Sequence, residues 1–341
     1  MPRRHGPPVF AAVDLGTNNC RLLVGSPTGD GFRVVDSYSR IIRLGEGLQQ
    51  SGQLSPEAMD RAMDALQACA DRLARRPMHG LRAIATEACR RATNAKAFVE
   101  RVARQTGLQL DVISPREEAK LALESCTPLL AAGARRALLF DIGGGSTELV
   151  WVRLTPGHRP QLVGTLSLPM GVVGLSERHG ANAFSAAGFA SMVAEVTERL
   201  AHFEQVHRIA EEVRRGGVQL MGTSGTVTTL AGEFLALARY RRMLVDGQIL
   251  THAAAAAAVH ALRGRGRERL SVHPCVGPER ADFVLPGCAI YTAIHTLWPV
   301  PTVTVADRGL REGMLLRLIR HARREGSHAR ESVRARDELE A

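Results

Sequence analysis

The sequence predicts an α/β protein made of two similar halves, each a mixed sheet flanked by helices, with the active site in the cleft between them. Two observations carry this. An apolar strand runs into an Asp-x-Gly turn twice: residues 9–13 lead into Asp14-Leu15-Gly16-Thr17-Asn18-Asn19, and residues 137–140 into Asp141-Ile142-Gly143-Gly144-Gly145-Ser146-Thr147-Glu148. Each turn is followed by a returning apolar strand, Leu22-Leu23-Val24 in one case and residues 149–152 in the other, so each unit is a hairpin. The two hairpins stand 127 residues apart, the signature of an internal duplication, and 341 residues suit two domains with substantial cores.

The elements between them follow in order. Residues 55–76 have helical periodicity, with Ser55 as cap and Pro56 at the first helical position. Residues 81–85 form a short buried strand, 94–106 a helix, Val112-Ile113 a strand and 115–126 another helix. After the second hairpin, residues 185–215 are largely helical. Leu220-Met221 enters a third polar turn, Gly222-Thr223-Ser224-Gly225-Thr226. The alanine run 253–258 is a helix interior, 302–305 a strand and 311–323 a final helix with a core stripe of Leu310, Met314 and Leu318. The polar ends, 1–8 and 326–341, are read as disordered.

Composition excludes several classes. No stretch approaches the ~20 apolar residues of a membrane helix, and residues 1–8 lack the apolar core of a signal peptide, so a cytoplasmic location is expected. The six cysteines are scattered singly, without CxxC or zinc-finger spacing, and read as reduced, buried thiols. The formal charge is +10, nearly all of it arginine, since Lys96 and Lys120 are the only lysines. A basic body favours polyanionic partners. Nucleic acid is not the expected one, because aromatics are 4% and none interleave with the arginines.

Glycine turns let backbone N–H groups crowd around phosphate oxygens. Gly16, Thr17, Asn18 and Arg21, Gly143, Gly144, Gly145 and Ser146, and Thr223, Ser224, Gly225 and Thr226 are therefore the candidate phosphate-binding residues. Carboxylates beside such turns repel phosphate directly. Asp14 and Asp141 instead suit a divalent cation carried with it.

The same turns resemble the phosphate motifs of the actin, sugar kinase and Hsp70 superfamily. More narrowly, the chain resembles the exopolyphosphatase/guanosine pentaphosphatase family. The matching strings are Ala-Val-Asp-Leu-Gly-Thr-Asn at 12–18, Ala-Thr-Glu-Ala-Cys-Arg at 85–90 and Ile-Ser-Pro-Arg-Glu-Glu-Ala at 113–119. They continue with Asp-Ile-Gly-Gly-Gly-Ser-Thr-Glu-Leu at 141–149, Gly-Thr-Ser-Gly-Thr at 222–226 and Gly-Leu-Arg-Glu-Gly at 309–313. The resemblance implies two actin-like ATPase (ribonuclease H-like) domains, 9–134 with the helix 309–324 crossing back, and 135–308. It implies metal-dependent hydrolysis of a terminal phosphoanhydride, in polyphosphate or guanosine pentaphosphate.

Carried over residue by residue, Glu118 corresponds to the family's catalytic glutamate. Its neighbour Glu117 points ~100° away on a helix, and the preference for Glu118 comes from the resemblance, not from spacing. Arg90, beside Arg91, matches a phosphate-contacting arginine. Asp141 and Glu148, with Asp14 opposite, match the carboxylates of a Mg²⁺ site, with Mn²⁺ as the alternative ion. Two positions depart from the pattern: Asn19, where a small hydroxyl residue is usual, and Gly174, where many relatives have arginine. A homodimer is left open. The competing readings are a small-molecule kinase on the same scaffold and an actin-like nucleotide switch.

Overall fold

Apolar runs buried on both faces set the two sheets. The structure, a computed structural model, describes residues 7–29 and 31–337, with side chains through Glu325. The expectations for residues 1–6 and 338–341 lie outside the described residues.

The first sheet has the order β3-β2-β1-β4-β5. Its strands are β1 Phe10–Leu15, β2 Asn19–Thr28, β3 Gly31–Ile41, β4 Gly80–Ala85 and β5 Leu110–Val112. β1, β2 and β3 form an antiparallel meander, while β4 and β5 continue parallel to β1. The second sheet is built from β6 Arg136–Ile142, β7 Thr147–Arg153, β8 Gln161–Leu168, β9 Val218–Thr223, β10 Ile249–Thr251 and β11 Thr302–Ala306. Its order is β10-β11-β9-β6-β7-β8. Without the antiparallel edge strand β10, this is the first sheet's order and direction repeated. The duplicated two-sheet fold expected from the hairpins, actin-like by the resemblance, is the one observed.

Strand periodicity sorts side chains into layers. On β1, Ala11, Val13 and Leu15 join a core under the helices Pro56–Leu73 and Ala95–Thr106. Phe10 and Ala12 face the other way, onto Leu121, Ala122, Leu310, Met314 and Leu315. On β6, Leu138, Phe140 and Ile142 enter the large core with the helices Ala186–His207 and Ala281–Leu297. Ala137 and Leu139 face Ala119, Leu123 and Cys126. The helix Pro115–Cys126 therefore lies between the sheets, with Leu121 and Ala122 against the first and Ala119, Leu123 and Cys126 against the second. A Ser114 cap, accepting from the Glu117 N–H at 3.2 Å, and Pro115 at its first turn start it.

The last helix, Leu310–Asp337, crosses back onto β1 and onto Pro115–Cys126. Its backbone continues to Asp337, past Glu325, where the sequence reading ends the ordered chain. Alanine, arginine and glutamate propagate an established helix without an apolar face. All six cysteines are buried and unpaired. Among the described residues no helix is long and apolar enough to cross a membrane.

Candidate active site

The inward faces of the strands lead straight to the site. Continuing the Phe10, Ala12 face by two residues brings Asp14 to the end of β1, and the Ala137, Leu139 face brings Asp141 to the end of β6. On the returning strands the same parity carries Leu23 to Arg21 and Val150 to Glu148. Asp14 is paired across the hairpin with Arg21, and Asp141 with Glu148. The turns close alike, with Gly16 N–H donating to Asn19 O and Gly143 N–H to Ser146 O, both at 2.9 Å. The duplication has thus diverged at one position: the first hairpin sets an arginine beside its aspartate, the second a glutamate.

The two turns meet tip to tip. A Cβ on Gly144 would stand 2.9 Å from Asn18 Cβ, and one on Gly145 only 2.6 Å from Thr17 Oγ1. Both glycines are present because the loops of the two halves touch. The third turn follows β9. Ser224 has φ 81° and ψ −176°, a conformation close to glycine-only, and its hydroxyl donates to Ile142 O at 2.7 Å. The hydrogen bond ties this strained residue to the second hairpin. Together the turns line one cleft of ≈ 790 Å³ between the halves.

Glu118 reaches this cleft from the first turn of the helix between the sheets and is 7% exposed. Its Oε2 accepts from Arg90 Nη1 at 2.6 Å. Arg90 is otherwise committed to Glu87 Oε2, at 2.8 and 3.2 Å, and to Ile113 O at 3.0 Å. Burial raises Glu118 to about 7 against the pull of Arg90, and the charges of Asp141 and Asp14 add to the rise. A carboxyl titrating there is half ionised at neutral pH, suited to accept a proton. Glu117, on the same turn, faces away and pairs with Arg82 and Arg317. The structure thus decides between the two adjacent glutamates.

Four carboxylates share the cleft floor, Glu118 and Glu148 buried, Asp14 and Asp141 half-buried. Burial raises Asp141 to about 6, and it also lifts Asp14 and Glu148 above the usual carboxylate range. Glu148 Oε1 accepts from Ser146 at 2.5 Å and Ser167 at 3.0 Å, and Asp14 Oδ1 is buried with no hydrogen-bond partner. A buried carboxylate left without a donor is costly unless a cation completes it. The donors are hard oxygens, so they fit Mg²⁺ or Mn²⁺. Among the described residues no three such groups converge tightly enough to enclose an ion alone.

Of the residues singled out in the sequence, all but one line this cleft: Asp14, Gly16, Thr17, Asn18, Arg21, Glu118, Asp141, Gly143, Gly144, Gly145, Ser146, Glu148, Thr223, Ser224, Gly225 and Thr226. Arg90 does not; four of its five N–H donors go to Glu87, Glu118 and Ile113 O, so it holds the glutamate. Asn19 lies at the hairpin mouth. A Cβ on Gly174 would stand 3.0 Å from Gln49 Oε1, at a second, small cavity between the halves. The sequence reading missed Arg280, Arg308 and Arg311 along the cleft. Only Arg311 had a signal, its place in the Gly-Leu-Arg-Glu-Gly string.

A family model described as the Ppx/GppA phosphatase family matches residues 23–322. The chain belongs to the Ppx/GppA phosphatase family. It is 31% identical over 321 residues to a guanosine-5'-triphosphate,3'-diphosphate pyrophosphatase of Aeromonas hydrophila, and likewise to that of Aeromonas salmonicida. These matches cover 92% of the chain and 60% of each relative, so the chain spans well under two thirds of their length. Solved structures of similar size align nearly end to end. An exopolyphosphatase-like protein is 28% identical with a TM-score of 0.81, covering 90% of this chain and 96% of that one. A Ppx/GppA protein of Aquifex aeolicus is 26% identical with a TM-score of 0.72, covering 92% and 98%.

Proposed function

We propose that the chain hydrolyses a terminal phosphoanhydride, releasing inorganic phosphate from inorganic polyphosphate, guanosine pentaphosphate or both. The observation that carries this reading is Glu118, a buried carboxyl raised to about 7 and set between two glycine turns at a phosphatase cleft. The N–H groups and hydroxyls of the turns at Gly16–Asn18, Gly143–Ser146 and Thr223–Thr226 would surround the terminal phosphate. Arg21, which has no ion pair or hydrogen bond among the described residues, is free to contact it. Glu118 orients a water and accepts its proton, with Arg90 fixing the carboxylate's direction. Closely packed turns exclude other water.

Asp14, Asp141 and Glu148 would hold Mg²⁺, with Mn²⁺ as the alternative. Bound there, the ion supplies charge neutralisation to a substrate that the carboxylates would otherwise repel. The need follows from charge: the cleft floor is acidic, while the expected substrate is a polyanion.

The test is phosphate release from long-chain polyphosphate and from guanosine pentaphosphate with Mg²⁺, for the native protein and Glu118→Gln. The expected result is release from at least one substrate, falling ~100-fold or more in the variant. No release from either substrate would overturn the proposal, and an unaffected variant would remove Glu118 from it. ATP-dependent labelling of a small acceptor would favour a kinase instead.

A further inference from the structure

The string Gly309–Gly313 is the one motif that the reaction above leaves without a task, and its residues divide their contacts. Gly309 N–H donates to Glu312 Oε2 at 2.9 Å. Glu312 is 4% exposed, and its Oε1 accepts from Arg242 at 3.0 Å. Gly313 lies against the Glu118 helix, where a Cβ would stand 2.2 Å from Leu121 O.

Arg311 remains. It lines the cleft with its side chain only 19% exposed. It has no hydrogen bond among the described residues. Its one carboxylate within ion-pair range, Glu312, is 4.0 Å away and already engaged by Arg242 and Gly309. The charges that bear on it are Glu312, Arg21, Asp14 and Arg242, two of them cations. The other cleft arginines contrast with it: Arg280 donates to Gly225 O and Thr229, and Arg308 pairs with Asp246. A guanidinium offers five N–H donors in a planar fork. Among the described residues no group accepts from these donors, and none of the three nitrogens is sealed from the cleft, so the fork stands open to a ligand.

We propose that Arg311 is a substrate-contacting residue whose guanidinium takes a phosphate oxygen on the Asp14 side of the cleft. The inference rests on the phosphoanhydride reading above and names a contact which that reading did not include. It also explains the motif. Glu312 and Gly313 fix the first turn of the helix, and that turn aims Arg311.

The experiment measures binding of imidodiphosphate, a non-hydrolysable anhydride mimic, by calorimetry with Mg²⁺, alongside the thermal midpoint of each ligand-free protein. Arg311→Ala should weaken binding ~10-fold or more, the effect of losing one charge-assisted contact. Its ligand-free midpoint should stay within ~3 °C of native or rise, because a cation near Arg21 and Arg242 that makes no hydrogen bond is removed. Arg311→Lys, which keeps the charge without the fork, should fall between. Binding within ~3-fold of native in Arg311→Ala would overturn the proposal. So would a midpoint lowered by more than ~3 °C along with the affinity, which marks a packing role. A native protein that does not bind the mimic overturns it as well. One that binds the mimic yet releases no phosphate from polyphosphate or guanosine pentaphosphate sinks the hydrolytic reading and leaves this contact standing.

Discussion

The carboxylates of the cleft floor tie stability to pH, and under the proposed function to Mg²⁺ as well. Consider Asp141, whose usual value of 3.8 is raised to about 6. A carboxyl raised in the folded state contributes stability that is fully present below its unfolded value and lost as pH rises through its folded one. For Asp141 that window runs from about pH 4 to about pH 6. At 1.36 kcal/mol per unit, the rise amounts to about 3 kcal/mol lost across it. Glu118 extends the window to about pH 7, and the two do not add because they share one field. Cation-free protein should therefore lose stability between pH 5 and pH 7.5, and Asp141→Asn should remove about 1.4 kcal/mol of that loss, the share of its window that lies above pH 5. The assay is differential scanning calorimetry in EDTA at both pH values. For halves of this size the variant should gain some 5–10 °C over native at pH 7.5, and about half of that at pH 5. Mg²⁺ should stabilise native protein more at the higher pH, since it must displace protons from its ligands. A native-minus-variant difference that is flat with pH, or an equal Mg²⁺ effect at both, would refute the reasoning.

Three further outcomes are expected. Arg90→Gln removes the cation that holds Glu118 down, so the acidic limb of the pH–rate profile should move up by about one unit or more; an unmoved limb separates Arg90 from Glu118. Gly313→Ala presses a Cβ onto Leu121 O, and the helices should part at a cost of about 1–3 kcal/mol, measured by urea unfolding, with kcat lowered because the Glu118 helix shifts. Gly145→Ala forces the two phosphate turns apart at Thr17, so kcat/KM should fall ~10-fold or more while the thermal midpoint changes little.

Local chemistry made much of this fold legible. Ser55-Pro56 and Ser114-Pro115 open helices at Pro56 and Pro115, as capping rules require. Elements whose pattern contradicts their state were not. The helix Ala281–Leu297 carries Pro286 in its interior and is buried almost all round, so neither helix continuity nor an amphipathic stripe marks it. The strand β3 is largely half-exposed and polar, and only pairing with β2 fixes it. The helical stretch expected over 185–215 is broken at Arg208, which takes φ 50° between the helices Ala186–His207 and Ile209–Arg215.

By itself the sequence determined the duplication, the three turns and the identity of the acidic residues beside them, because strand–turn chemistry is local. Only the tertiary structure decided which residues confront one another. Stacking the sheets on either side of Pro115–Cys126 turns Glu118, and not Glu117, into the cleft. The same stacking withdraws Arg90 behind Glu118 and leaves the Arg311 side chain without a hydrogen bond among the described residues. Those outcomes depend on burial and on charges brought together from distant parts of the chain, which no spacing along it encodes.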